Sequence, residues 1–454
     1  MSTRLPYEKP TIVRHTVGLM NKFGRTSSTF PHGRIDGVPL RQLVDEHGSP
    51  LWVLSEAALR RKYRDVYRAF ALRYPRVVIA YSYKTNYLSG VCAALHQEGA
   101  WAEVVSGMEY EFAQRLGVPG DRIVFNGPHK TQAELERAID NNSKVNIDSY
   151  DEMYMIEEIA KSRKRQLEVG LRVNMELNYP PWDRFGFNVE SGQAFEACKR
   201  IISSQSLRLN GLHVHVGTYI SDVAVYQQMA ERLSALCYRL QNELATRVAY
   251  LDVGGGHASK NTLHTAWMPA EHTCPTPDQY AEAICPALLR GPFDPKEMPL
   301  LILEPGRSVV DEAMFLVASV VAVKRLSSGV KGIVIDAGVN ILPTAWWYRH
   351  DIVPGQDTGS IGEEVNIYGP LCMQIDVIRT GVTLPPLRRG DLVLIKNVGA
   401  YNFPQSMQFI QPRPAIVTIF NGKVDVLRER ETVDYIRGLD RLPDRLKGGG
   451  KSPL

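Results

Sequence analysis

Charge of one sign is missing from this 454-residue chain: 53 Lys and Arg against 49 Asp and Glu leave a formal net charge of +4. No sustained basic run interrupts that balance, which argues against nucleic acid and anionic membrane as partners. Cysteine is scarce and scattered. Cys92, Cys198, Cys237, Cys274, Cys285 and Cys372 form no CxxC pair, so they read as reduced thiols of a cytoplasmic enzyme, not as a disulfide frame or zinc site. No apolar run approaches the roughly 20 residues that span a bilayer. The first 30 residues mix charged and polar groups without an apolar core of signal-peptide length. Low-complexity segments and a dinucleotide-binding glycine fingerprint are also lacking. These absences together predict a soluble, cytoplasmic protein.

What is present is enough apolar residue, 44% of the chain, to bury a large core and fill about two domains. From residue 77 to 310 one unit repeats: a short β-rich apolar run, a turn, then an amphipathic helical stretch. Strands are expected at 77–83, 101–105, 122–125, 144–147, 167–173, 208–216, 248–253 and 300–303. Helices are expected at 108–116, 132–141, 151–161, 195–203, 225–243 and 278–289. Eight such units predict a closed parallel (β/α)8 barrel, here placed at 54–312. Residues 256–277 read as a βα loop over its mouth. Beyond 312 the texture turns to strands and turns at 313–325, 332–337, 365–369, 392–397, 415–421 and 423–427. That predicts a mainly antiparallel β domain over 313–441, joined by the N-terminal segment 1–53 and followed by a mobile tail, 442–454.

Barrel active sites form at the C-terminal ends of the strands. Those ends read Lys84, Ser106, Asn126, Asp148, Asn174, His215, Gly254-Gly255-Gly256 and Glu304. A lysine closing an apolar strand has an amine that desolvation lowers in pKa, making it a Schiff-base nucleophile. Three glycines let backbone amides approach a phosphate. Glu304 can hold a proton on a ring nitrogen, and Arg307 offers a fork to a phosphate or carboxylate. His213 and His215 share one strand face, but no third ligand is spaced for a metal, and a flat imidazole stacked on a cofactor ring suits His215.

The segments Tyr83-Lys-Thr-Asn86, His213-Val-His-Val-Gly217, Gly254-Gly-Gly256, Glu304-Pro-Gly-Arg307, Asp336-Ala-Gly338, Tyr368-Gly-Pro-Leu-Cys372 and Val398-Gly-Ala-Tyr401 occur in one order. In this the chain resembles the fold-type III pyridoxal-phosphate decarboxylases of diaminopimelate, ornithine and arginine, nearest the diaminopimelate branch. The resemblance runs from about residue 34 to 434. It implies a barrel with a β domain, pyridoxal 5'-phosphate as cofactor, and a homodimer with shared sites. It also implies that Lys84 bonds the cofactor, His215 stacks on it, Gly254–Gly256, Arg307 and Tyr401 hold its phosphate, and Glu304 keeps its ring nitrogen protonated. Alanine racemases share the barrel but place an arginine there, so a glutamate favours decarboxylation. Cys372 is implied as the acid that reprotonates the product, arriving from the neighbouring subunit.

The substrate end departs from the diaminopimelate pattern. Met373 stands where the family has a glutamate after the cysteine, and a methionine cannot pair with a distal ammonium. Thr344 stands where a substrate arginine is expected, with Trp346, Trp347 and Tyr348 beside it. The reading favoured here is decarboxylation of an amino-acid head on a larger, carboxylated body, such as a citryl-diaminopropionate conjugate of siderophore assembly. Arg184, with Arg349 or His350, would anchor its distal carboxylates, and Thr344, Tyr348, Met373 and Tyr401 would line its site. The alternatives are diaminopimelate decarboxylation, an ornithine, lysine or arginine decarboxylase using Asp376, and a non-catalytic regulatory relative.

Overall fold

The computed structural model describes residues 32–357 and 362–446. The expectations placed on residues 1–30, and on the tail beyond residue 446, lie outside the described residues. No described helix is long and apolar enough to cross a membrane.

Eight parallel strands close into a barrel: Val77–Ser82, Trp101–Val104, Ile123–Phe125, Lys144–Ile147, Leu167–Asn174, Leu207–Val214, Tyr250–Asp252 and Leu300–Leu303. Each pairs with the next, and the eighth returns to the first through Leu301↔Val77 and Leu303↔Ile79. The strands form because both faces are covered, one by interior side chains and the other by helices. Their residues are accordingly almost all buried, including Ile79–Ser82 and the whole of 169–174. Helices follow at Gly107–Arg115, Gln132–Asp140, Tyr150–Arg163, Gln193–Ile202, Val223–Leu244 and Pro277–Leu289, within a few residues of expectation. Several start on side-chain caps. Ser106 Oγ accepts the Glu109 amide, and Thr131 and Glu134 form a reciprocal capping box.

The second body is a largely antiparallel sheet whose spine is the 12-residue strand Met314–Arg325. It pairs antiparallel with Leu51–Ser55, Lys331–Ile335 and Leu392–Lys396. Leu51–Ser55 in turn pairs parallel with Ile416–Phe420, so the segment before the barrel is part of this sheet. Its alternation divides the packing. Trp52 and Leu54 join the main core shared with the barrel, while Leu51 and Val53 face a smaller cluster with Leu43, Val317 and Leu394. Each such buried side chain contributes about 1.5–3 kcal/mol.

Beyond residue 313 three strands were not expected: Tyr348–Arg349, Ile352–Pro354 and Val377–Leu384. The last is half exposed and carries Gly381 at φ 63°, which blurs its alternation. The first pairs antiparallel with Thr262–Leu263 inside the 256–277 loop. That bridge ties the barrel's mouth loop to the β domain and sets one wall of the cavity described next.

Candidate active site

A cavity of about 720 Å³ opens where the barrel's strand ends meet the β domain. Lys84, Asn126, His215 and Glu304 line it, as the strand-end reading expects. Ser106, Asp148 and Asn174 do not. Ser106 caps a helix, Asp148 pairs with Arg172 at 3.3 Å, and Asn174 donates to the Phe185 carbonyl at 2.7 Å, fastening the loop that carries Arg184.

Two charged residues in the lining come from inside the strands. Glu103 is 1% exposed and accepts hydrogen bonds from Lys84 Nζ at 2.5 Å, Ser82 Oγ at 2.6 Å and Asn126 Nδ2 at 3.2 Å. Burial pulls the Lys84 amine down, but the charges of Glu103 and Glu304 outweigh it and hold the pKa above the ordinary lysine value. This corrects the expectation of a depressed pKa: in this pocket Lys84 is an ammonium. Arg172, buried against Asp148, stacks over Phe185 at 4.5 Å, and burial lowers its pKa.

Glu304 is 4% exposed and accepts from Asn126 Nδ2 at 2.5 Å, with His213 Nε2 3.5 Å away. Burial opposes its charge, yet His213 and Lys84 pull its pKa below the usual carboxylate range. His213 does meet further groups, contrary to the reading that no third ligand of suitable type is spaced nearby: Asp252 and Glu304 each bring an oxygen within 4.8 Å. His215 is lowered to about 3 by burial and by Lys84 and Arg172, so its ring is neutral at physiological pH. Its Nδ1 accepts the Gly255 amide at 3.1 Å, and Trp182 lies 5.3 Å from it, centroid to centroid.

The glycine triplet serves the backbone first. Gly254 and Gly256 adopt φ of 66° and 89°, and a Cβ on Gly255 would stand 2.1 Å from the Glu304 carbonyl oxygen. The Gly254 amide donates to Asp252 and the Gly255 amide to His215, so of the three only Gly256 lines the cavity. Arg307 is ringed by Tyr401 at 4.9 Å, Tyr348 at 5.3 Å and Tyr219 at 5.6 Å. Its Nη1 is buried without a hydrogen-bond partner, an uncommon state for a guanidinium, and one that an anion would relieve.

The substrate-end residues are placed unevenly. Arg184 lines the cavity, exposed, its guanidinium 4.3 Å over Phe185. Tyr348, Tyr401 and Trp347 line it too; Trp346 does not. Thr344 is not a substrate contact in this chain. The residue is 1% exposed, and its hydroxyl donates to Asn402 Oδ1 at 2.7 Å and meets His350 Nε2 at 2.8 Å. His350 is itself fully buried, and burial lowers it to about 4, so it is a neutral member of this network and not a carboxylate anchor. Arg349 is likewise outside the lining, donating to the Ala266 carbonyl. Thr344→Val is therefore expected to lower stability by about 1–3 kcal/mol, because Asn402 keeps only the Thr344 backbone amide as donor and His350 Nε2 loses its partner in a sealed interior. Denaturant unfolding of the variant measures this, and retained turnover distinguishes it from a substrate role. Cys372 is exposed, and neither it nor Met373 lines this cavity.

Comparison with known proteins matches this arrangement. The pyridoxal binding domain of the pyridoxal-dependent decarboxylases matches residues 56–311. The diaminopimelate decarboxylase of Methanothermobacter thermautotrophicus is 31% identical, the match covering 91% of this chain and 97% of that one. The enzyme of that name from Aquifex aeolicus is 30% identical, over 88% of this chain and 94% of its own. The crystal structure of diaminopimelate decarboxylase from M. jannaschii superposes with a TM-score of 0.83 at 30% identity, covering 91% of this chain and 96% of that one. With the cavity set where a barrel of this kind does its chemistry, the chain belongs to the pyridoxal-dependent decarboxylases and is an amino-acid carboxy-lyase that uses pyridoxal phosphate.

Proposed function

We propose that this enzyme removes the α-carboxyl group of a diamino dicarboxylic acid of the diaminopimelate class. The observation that carries this reading is the 31% identity to a diaminopimelate decarboxylase across 91% of the chain. It reverses the order favoured from the sequence: the citryl-diaminopropionate conjugate draws no support from any relative compared.

The residues present fit the cofactor. Its phosphate matches the buried, unpartnered Nη1 of Arg307, with Gly256 and Tyr401 beside it in the lining. Its ring nitrogen matches the anionic Glu304, and its ring face matches the neutral imidazole of His215. When bound, pyridoxal phosphate supplies an electron sink for the pair left by departing carbon dioxide. Lys84 provides the nucleophilic amine once it has lost its proton. Glu304 holds a proton at the ring nitrogen, and His215 packs without adding charge. Trp182, Trp347 and Tyr348 exclude water from the reacting face. Cys372, exposed and outside the cavity of its own chain, fits a homodimer in which a second copy supplies the protonating thiol.

One set of observations favours a second reading, a substrate with a larger anionic body. Met373 offers no charge to a distal ammonium, and Arg184 presents an exposed cation in the lining. Carbon dioxide release from holoenzyme separates the readings, using meso-diaminopimelate, ornithine, lysine, arginine and citryl-diaminopropionate. Diaminopimelate is expected to exceed the three monocarboxylates by at least about 100-fold in kcat/KM. Faster turnover of the citryl conjugate would reject diaminopimelate and favour the larger substrate.

A further inference from the structure

At the cavity floor, His213, Asp252 and Glu304 come from three neighbouring strands of the barrel or their ends, with His213 and Glu304 in the lining and Asp252, 0% exposed, behind them. One nitrogen or oxygen of each lies within 4.8 Å of the others. Two sealed carboxylates this close cannot both ionise without strong repulsion, so one proton is shared between them. The surroundings decide where it sits. Glu304 already accepts the Asn126 amide at 2.5 Å and has His213 at 3.5 Å. Asp252 Oδ1 accepts the Gly254 amide at 3.0 Å, but its Oδ2 is buried with no hydrogen-bond partner. A bare acceptor oxygen there is costly, whereas a protonated one becomes a donor with an anion beside it.

We propose that Asp252 carries the proton of this buried carboxyl pair and donates it to Glu304, leaving Glu304 as the single anion presented to the cofactor nitrogen. Asp252 is then a positioning residue, acting through Glu304. The groups facing the pair agree on the assignment: Lys84, Glu103, Arg172, Tyr250 and the two histidines, His213 and His215. The cations Lys84 and Arg172 lie toward Glu304, while Glu103 adds repulsion to a charged Asp252. Burial and the Glu304 charge push the Asp252 carboxyl well above its usual range, the direction the hydrogen bonding requires. A neutral partner gives the pair one negative charge, matched to one protonated ring nitrogen. The inference rests on the cofactor alone and holds whichever amino acid is the substrate.

Two measurements test it. Infrared difference spectra of wild type minus Asp252→Asn, at neutral pH, are expected to contain the carbonyl stretch of a protonated carboxylic acid. Cofactor affinity, titrated by fluorescence quenching, is expected to stay within about threefold in Asp252→Asn, a neutral isostere that still donates to Glu304. In Asp252→Ala, which removes the donor, it should weaken by about tenfold or more. The proposal is overturned if the acid band is missing from the difference spectrum. It is equally overturned if Asn weakens binding as much as Ala does, or if Ala binds like wild type. Should the Ala variant fail to fold, the infrared comparison of wild type with Asp252→Asn still decides.

Discussion

Lys84→Ala is expected to cut kcat by about 10⁴-fold or more, because it removes the one amine in the cavity that can bond the cofactor covalently. Borohydride reduction of wild-type holoenzyme should fix a pyridoxyl label on the peptide containing Lys84, and the variant should carry none. A label elsewhere would defeat the assignment. The same residue predicts how the enzyme loads. Lys84 is held as an ammonium by Glu103 and Glu304, so it must lose a proton before it can attack. The loading rate should therefore rise with pH through the neutral range, by about tenfold per unit while the neutral amine is scarce. The proposed shared sites add a further expectation. Mixing Lys84→Ala with Cys372→Ala should rebuild one intact site per mixed dimer and recover about a quarter of wild-type turnover. No recovery after subunit exchange would place both residues in one chain's site.

The barrel was readable because parallel strands covered on both faces are near-continuous apolar runs, and all eight expected runs begin and end within two residues of the observed strands. The second sheet was less legible where strands are half exposed. Val377–Leu384 mixes Arg379, Thr380 and Gly381 into its pattern, so no apolar alternation marks it as a strand. In the site, strand ends led to Lys84, His215 and Glu304 but overlooked Glu103, Arg172 and Asp252. Those three lie within their strands. By simple alternation a charge inside an apolar strand reads as solvent-facing, whereas in a closed barrel the interior face carries polar side chains near the catalytic end. Trp101-Ala-Glu-Val104 held the available signal, a single carboxylate one pleat below a strand end that was already under scrutiny. Thr344 and His350 misled for another reason. Their partners are each other and Asn402, 58 residues further on from Thr344, and no local pattern announces that they are committed to packing.

Glu304→Gln separates charge from shape at the ring nitrogen. Glutamine keeps the volume but not the anion; its carbonyl oxygen can still take the Asn126 amide. What it loses is the charge that would hold a proton on the nitrogen and make the ring a strong electron acceptor. The loss falls on the step that expels carbon dioxide, so kcat should drop by about 10²–10³-fold, or roughly 2.7–4 kcal/mol of barrier, as for removing a preorganised charge partner. Cofactor binding should change far less, since Arg307, Gly256 and Lys84, the residues proposed to hold it, are untouched. The measurement is single-turnover carbon dioxide release with cofactor occupancy checked by absorbance. A variant that keeps its cofactor and loses turnover fits a Glu304 that acts through charge. One that releases the cofactor while its remaining sites turn over normally would make Glu304 an anchor and nothing more. The carboxylate's burial makes the large effect reasonable: at 4% exposure, with Asn126, His213 and Asp252 packed around it, little water can screen it.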